Sequence, residues 1–480
     1  MKRLLLVALL VLLVAGLRWL SGGLAVATGY SAKQLCSGVH VAGLPAAFVI
    51  ENDIHLAMEV LGPLLPLLEV AADGHTARSS LLGNNSVAIY HPGHGCVLNP
   101  AEAALDHTTA APVSVESSPL SEQLNPELLP VLDRAFAEPR EGVRKTLAVL
   151  VLHQGKVIAE RYAPPVTVST PMQGWSMNKS LTASWVGVQV ERGELSLEQG
   201  IKSAVAAADT ALAGPVSPAL DLSNLLHMES GFDFEETYLP GDDATYMLYR
   251  SPAAWRVAPG VGQAAEPGER FNYSSGDTNL ASRIWQDSLG GADYAAWLQD
   301  NFYHPIGVSS AVSEHDPSGT QVGSSFTYMT ARDWARVGQF WLDAWHGRSD
   351  LLSQEWQQAA SRPRASAANG EYGRGFWLNA QGVDFPNLPR NLFYASGHNA
   401  QYVVVFPDEE VVVVRLGLSS GHAASGIETL LEEVLAVVRP PAPAETPAPS
   451  PPPSPANPPS PAIPGDSTPD QIAAVLPSGR

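Results

Sequence analysis

Two pairs of apolar, β-branched runs bracket the middle of this 480-residue chain and constrain its fold more than any other feature. Thr146–His153 and Lys156–Tyr162 flank a Gln154-Gly155 turn, and Gln401–Phe406 and Val411–Leu416 flank a Pro407-Asp408 turn. Each pair reads as a β-hairpin, because such runs joined by a short Gly- or Pro-containing turn favour paired, extended backbone. Between the hairpins the pattern is helical. A stretch from Ser176 to Arg192 closes on Gly193, and Thr330-Ala-Arg-Asp333 is a capping pattern that opens a helix through Trp345. A last amphipathic helix is expected over 427–438. Strands at both ends with helices between them imply an α+β fold, an antiparallel sheet flanked by helices plus a helical subdomain.

Charge excludes one class of partner. The chain carries 48 acidic and 28 basic residues for a formal charge of −20, and only six of the basic residues are lysines. Nucleic-acid binding needs a basic footprint that displaces counterions, and no basic run here exceeds the pair Lys2-Arg3.

The two ends differ from the middle. After Met1-Lys2-Arg3 an apolar stretch runs from Leu4 to Leu17, within the length of a signal-peptide core and short for a bilayer span. Residues 1–27 are therefore expected to be a signal peptide, with Ala25-Val26-Ala27 as a small-x-small cleavage site, or an uncleaved anchor tethering the protein through residues 4–17. Either way the protein is expected to be exported, to the periplasm or the extracellular space, with the inner membrane as the place of any anchor. At the other end, residues 439–480 hold fifteen of the forty prolines and are expected to form an extended, disordered tail.

Residues 28–124 read as an N-terminal module containing both cysteines, Cys36 and Cys96. In an exported protein two thiols in one module are expected to pair, and closing a loop of about sixty residues stabilises by roughly 4 kcal/mol in the chain-entropy model. A competing reading takes His91, His94 and Cys96 as metal ligands, but Pro92 and the glycines suit a turn and no fourth ligand is near, so no metal is assigned.

The chain has no GxSxG elbow, HExxH pair, Walker loop or GxGxxG fingerprint, and nothing in it calls for a cofactor. It does have Ser176-Met-Asn-Lys179. With a helix beginning at or just before Ser176, positions i and i+3 share a face, placing the hydroxyl beside the lysine at the positive end of the helix dipole. A serine needs a nearby base to become a nucleophile, and a lysine serves where burial, here among Trp175, Met177 and Trp185, disfavours its charge. Two further elements accompany it: Phe271-Asn-Tyr-Ser-Ser275, and Ser396-Gly-His-Asn-Ala-Gln401 directly before an apolar strand.

In that order the three elements resemble the SxxK serine hydrolases, the superfamily of penicillin-binding proteins and serine β-lactamases, and within it the class C β-lactamase-related branch of esterases and 6-aminohexanoate-dimer hydrolases. Leu225-Leu-His-Met-Glu-Ser-Gly231, Thr330-Ala-Arg-Asp-Trp334 and Tyr372-Gly-Arg-Gly-Phe-Trp377 extend the resemblance over residues 125–438, the expected hydrolase domain. It implies Ser176 as acylated nucleophile, Lys179 as its base and Tyr273 as the proton shuttle to the leaving group. It also implies an oxyanion hole from the backbone N–H groups of Ser176 and Gln401, and Ser275, His398 and Asn399 as substrate-binding residues.

Departures from the family pattern refine the expectation. His398 stands where a lysine usually offers a fixed cation to a substrate carboxylate, and with an ordinary pKa near 6.5 it is mostly neutral at pH 7; Arg374 is the candidate replacement. Ala400 in place of glycine adds a methyl where substrate backbone usually approaches. The acidic loop of Phe232–Tyr238 and Gly241–Asp243 resembles a segment that borders the cleft in amide-oligomer hydrolases and is a candidate selector of a substrate ammonium. The expected substrate is a small-molecule or short peptide-like ester or amide. The rivals are a peptidoglycan D-Ala-D-Ala carboxypeptidase or β-lactamase, and a non-catalytic envelope binding protein of the same fold. The oligomeric state is left open.

Overall fold

Alternation along the valine-rich strands explains the centre of the molecule. The computed structural model describes residues 2–100, 119–239 and 241–439, with side chains from residue 21 onward. The expected Pro-rich tail, like the apolar stretch 4–17 beyond its backbone, lies outside what is described. The strands are β1 (Glu69–Asp73), β2 (Thr76–Leu81), β3 (Asn84–His91), β4 (Gly95–Leu98), β5 (Thr146–His153), β6 (Lys156–Tyr162), β7 (Met172–Gln173), β8 (Val312–Ser313), β9 (Thr327–Met329), β10 (Trp377–Leu378), β11 (Phe393–Gly397), β12 (Gln401–Phe406) and β13 (Val411–Gly417).

The two expected hairpins, β5–β6 and β12–β13, join in one antiparallel sheet of order β10-β11-β12-β13-β5-β6. Leu150, Leu152, Val403, Val405, Val412 and Val414 face one core, and Val149, Val151, Val404, Phe406 and Val413 face the other. Both faces are covered, which is why these strands read as continuous apolar runs. The helix Ala331–Trp345, capped by Thr330, covers the first face, and Leu129–Phe136 with Ile427–Val438 covers the second. Gly338 lets the first helix come close: a Cβ there would lie 2.5 Å from Val412 Cγ1. The fold is α+β, as expected.

The first hundred residues hold the expected Cys36–Cys96 disulfide but begin with a longer helix than the sequence reading gives. A helix, α1 (Lys2–His40), runs through the candidate cleavage site without a break, and residues 26–38 are all buried. Ser31 Oγ donates to the carbonyl of Ala27 and Thr28 Oγ1 to that of Ala25, so Ala25–Ala27 is ordinary helix backbone. The helix packs on the four-stranded meander β1-β2-β3-β4, to which the Cys36–Cys96 disulfide fastens it. A buried pair of Lys33 and Glu314 ties it to the hydrolase region, where Glu314 Oε1 also accepts from Ser37 Oγ at 2.8 Å and Cys96 N–H at 2.7 Å. By its contacts the chain through Arg439 is one unit.

Because Cys96 is oxidised, it cannot complete a metal site with His91 and His94; His94 Nε2 instead lies 3.0 Å from Asp293 Oδ2. The apolar segments around 41–50 and 61–70 form helical turns, Ala46–Ala57 and Glu59–Leu67. Among the described residues no helix is long and apolar enough to cross a membrane.

Candidate active site

Backbone shape at Ser176 comes first. The α-helix that carries Lys179, α2 (Asn178–Glu191), begins two residues after Ser176, later than expected, and Ser176 sits in the preceding turn, Trp175–Met177. Trp175 has φ +50°, a left-handed conformation that costs an L-residue about 1–2 kcal/mol. Surrounding packing holds it: an added Cβ at Gly174 would lie 2.3 Å from Trp334, and one at Gly397 would lie 2.1 Å from the carbonyl oxygen of Gly174. Strand β11 thus meets the serine turn backbone to backbone, and only glycine fits at 397.

Lys179 is buried behind Ser176. Its Nζ lies 2.9 Å from Ser176 Oγ and 2.8 Å from Ser275 Oγ, and sits 4.5 Å above the centre of the Tyr273 ring. Ser275, at the N-terminus of the helix Ser275–Asp287, passes the network on. Its hydroxyl donates to Glu236 Oε1 at 2.8 Å and its N–H to Glu236 Oε2 at 2.5 Å. Glu236, only 3% exposed, lies 3.7 Å from Lys179 Nζ and accepts from the Tyr238 hydroxyl at 3.0 Å. The Tyr238 ring itself stacks on that of His398. Burial first, and then the Glu236 charge, push the pKa of the Tyr238 hydroxyl well above 10, so it remains a donor at neutral pH.

Tyr273 is half-buried, with its ring 5.0 Å from that of Trp377 and edge-on to Tyr372. His398 lies between Trp175, 5.1 Å away edge-on, and Tyr238, stacked at 5.2 Å. Burial lowers its pKa to about 4, so it is neutral at pH 7.

The structure therefore gathers Ser176, Lys179, Tyr273, Ser275 and His398. The other two expected residues belong to the turn beside them. Gln401 faces Gly397 across the ladder, and its side chain bonds the carbonyls of His398, Asn399 and Gly417; Gly397 is the residue packed against the serine turn. Asn399 is a turn residue at φ +60° whose carbonyl accepts from Ser419 N–H.

Three finer expectations need correction. The Ala400 methyl is buried in the second core, so it takes no space from substrate. Arg374 stacks on Trp356, with Arg364 and Glu198 as its charged neighbours, and so is no substitute cation beside His398. In the acidic loop, Glu236 faces Lys179, Asp242 caps the helix Asp243–Tyr249 and Asp243 accepts from Glu235 N–H; three of its carboxylates are thus occupied within the protein.

Sequence reasoning missed Glu236 as the neighbour of Lys179 and Tyr238 as a donor to Glu236, although both lie in a loop it singled out. It also missed Arg415, a buried strand arginine that donates to the carbonyls of Ala400 and Arg144 and so steadies the turn carrying His398.

The model of the Beta-lactamase family matches residues 132–430, 299 of the 480 residues. The chain belongs to the beta-lactamase family. Within this family it is 25% identical over 298 residues to a 6-aminohexanoate-dimer hydrolase of Paenarthrobacter ureafaciens, covering 56% of this chain and 72% of that protein. A solved structure described as a candidate 6-aminohexanoate-dimer hydrolase from Bacillus anthracis superposes with a TM-score of 0.55 at 18% identity, covering 67% of this chain and 88% of the other. A candidate beta-lactamase from Bacteroides dorei gives 0.50 at 17% identity, covering 65% and 98%. These likenesses establish the fold. The protein is a hydrolase of the serine β-lactamase and penicillin-binding-protein superfamily.

Proposed function

We propose that the protein hydrolyses an ester or amide through an acyl-enzyme on Ser176. The observation that carries this reading is the 2.9 Å separation of Ser176 Oγ and Lys179 Nζ inside a buried, fully hydrogen-bonded network. In its unprotonated form Lys179 takes the hydroxyl proton as Oγ attacks the carbonyl carbon, and the Glu236 carboxylate stabilises the ammonium that this restores. The oxyanion is received by the Ser176 N–H and by an N–H of the Gly397–Gln401 turn, where one donor contributes about 3 kcal/mol. Collapse breaks the bond to the alcohol or amine, which leaves with a proton passed through Tyr273. Water then attacks the acyl-enzyme, releasing the acid and restoring the Ser176 hydroxyl.

A neutral His398 supports an ester or amide without an obligatory carboxylate over a β-lactam or a peptidoglycan stem peptide. The relative named as a 6-aminohexanoate-dimer hydrolase lends weight to a linear amide. Export is part of the same proposal, supported by the apolar stretch 4–17 and by the disulfide, a bond of oxidising compartments.

Labelling with a fluorophosphonate and with a fluorescent penicillin tests the reading. The expected result is fluorophosphonate on Ser176, lost in Ser176→Ala and Lys179→Ala. Labelling by penicillin alone sinks the substrate preference, and labelling by neither sinks the enzymatic reading.

A further inference from the structure

An apolar cavity of about 460 Å³ lies against the active site. Trp175, Tyr238 and His398 form its inner end. Its outer wall comes from the first hundred residues: Leu24 and Ala27 of α1, with Met58 and Leu61 of the turns that follow. This wall lies outside residues 132–430, so it is an addition to the family's common fold.

Three properties define what the cavity can hold. Among the described residues no charged one lines it. Several of its polar side chains are already engaged: Tyr30 donates to Asp53 at 2.5 Å, Tyr238 to Glu236 at 3.0 Å and Thr245 to Asp242 at 2.6 Å. Its volume falls in the range of small-molecule sites, roughly 300–1,000 Å³. Two large apolar side chains on its lining, Val60 and Leu239, are 66% and 64% exposed, the pattern of an apolar mouth open to solvent.

We propose that this cavity receives an apolar chain of the substrate, making α1 and the turns after it the wall that selects a medium-chain aliphatic ester or amide. The proposal rests on the acyl-enzyme reading above and adds a substrate class to it. Position supports the assignment. A chain reaching the serine passes Trp175 and His398, which flank Ser176 on one side and line the cavity on the other. Chemistry supports it too. A polar or charged substituent entering here loses its water and finds no counter-charge, whereas each buried methylene favours binding by about fourfold.

The test compares p-nitrophenyl esters from acetate to decanoate, and acetates of ethanol to decanol, on the full-length protein. We expect kcat/KM to climb in at least one series, by about fiftyfold or more from the shortest chain to the best. Val60→Asp, at the exposed mouth, should lower the ratio of octanoate to acetate ester about fivefold or more, and Ala27→Trp should move the optimum to a shorter chain. A flat or falling profile in both series overturns the proposal while leaving the acyl-enzyme reading intact.

If no ester turns over and no fluorophosphonate labels Ser176, the acyl-enzyme reading itself has failed. The cavity is then read by the neutral dye Nile red. Saturable binding to Ser176→Ala, weakened by Val60→Asp, supports an apolar-chain site, and no saturable binding overturns it.

Discussion

Lys179 Nζ and Glu236 Oε1 lie 3.7 Å apart, their side chains 1% and 3% exposed, with the Ser275 hydroxyl bridging them. A buried pair with one partner removed leaves an uncompensated charge, which typically costs 3–5 kcal/mol, whereas the intact pair adds little to stability. Glu236→Gln keeps an acceptor for Ser275 but removes the charge. It is expected to lower unfolding free energy by about 3 kcal/mol in denaturant titration and to slow fluorophosphonate labelling about tenfold or more. Wild-type labelling kinetics in this variant would mean that Glu236 plays no part in activating the serine.

Two tyrosines approach the same centre and are expected to behave differently. Tyr273, its ring under Lys179 Nζ, carries the proton to the leaving group in the proposed mechanism. Tyr273→Phe is expected to lower kcat by about 10²–10⁴. Tyr238 donates to Glu236 and has its pKa held far above neutrality, so Tyr238→Phe removes one hydrogen bond and should cost about tenfold or less. Steady-state kinetics on whichever ester is turned over separates the two, and the reverse order would exchange their roles.

Asp277 predicts a pH dependence of stability. It is buried, Oδ1 accepts from the hydroxyls of Ser230 and Ser274, and burial raises its pKa from 3.8 to about 7. The folded state thus favours the protonated form more than the unfolded state does. Its contribution is fully present below pH 4 and is lost as pH rises through 7. Asp277→Asn removes that titration, so the difference in unfolding free energy between pH 5 and pH 8 should shrink. An unchanged difference would place the titration elsewhere.

Gly29 tests whether α1 is docked in solution. In an isolated helix Gly→Ala stabilises by about 1 kcal/mol. Here a Cβ at position 29 would lie 2.6 Å from the carbonyl oxygen of Tyr249 and 3.0 Å from its Cβ. Gly29→Ala is therefore expected to destabilise by about 1–3 kcal/mol. A rise in thermal midpoint would show that the helix is not held against Tyr249.

What could be read in the sequence follows from how local each signal is. The hairpins at 146–162 and 401–416 declare themselves because two covered faces leave most positions of their inner strands apolar, and the helix from Ala331 is announced by its Thr330 cap. The i, i+3 relation of Ser176 and Lys179 is likewise a property of four consecutive residues. Glu236 was visible only as one acid among several, since its place beside Lys179 depends on how a loop folds over a helix more than fifty residues away. The helix 2–40 was hidden for a different reason. Its apolar first half satisfies the pattern of an export signal, and residues 26–38 are buried all round, so no amphipathic period marks them as part of a longer helix.

The disulfide between Cys36 and Cys96 and the ion pair between Lys33 and Glu314 fasten one helix at two nearby points, one to its own small sheet and one to the hydrolase fold. The catalytic side chains come entirely from elsewhere in the chain. In the proposed reading the outer wall of the substrate cavity and the reacting side chains thereby occupy separate stretches of sequence. Such an enzyme is retooled by exchanging a prefabricated panel, held by two fasteners, while the serine, lysine and glutamate behind it stay untouched.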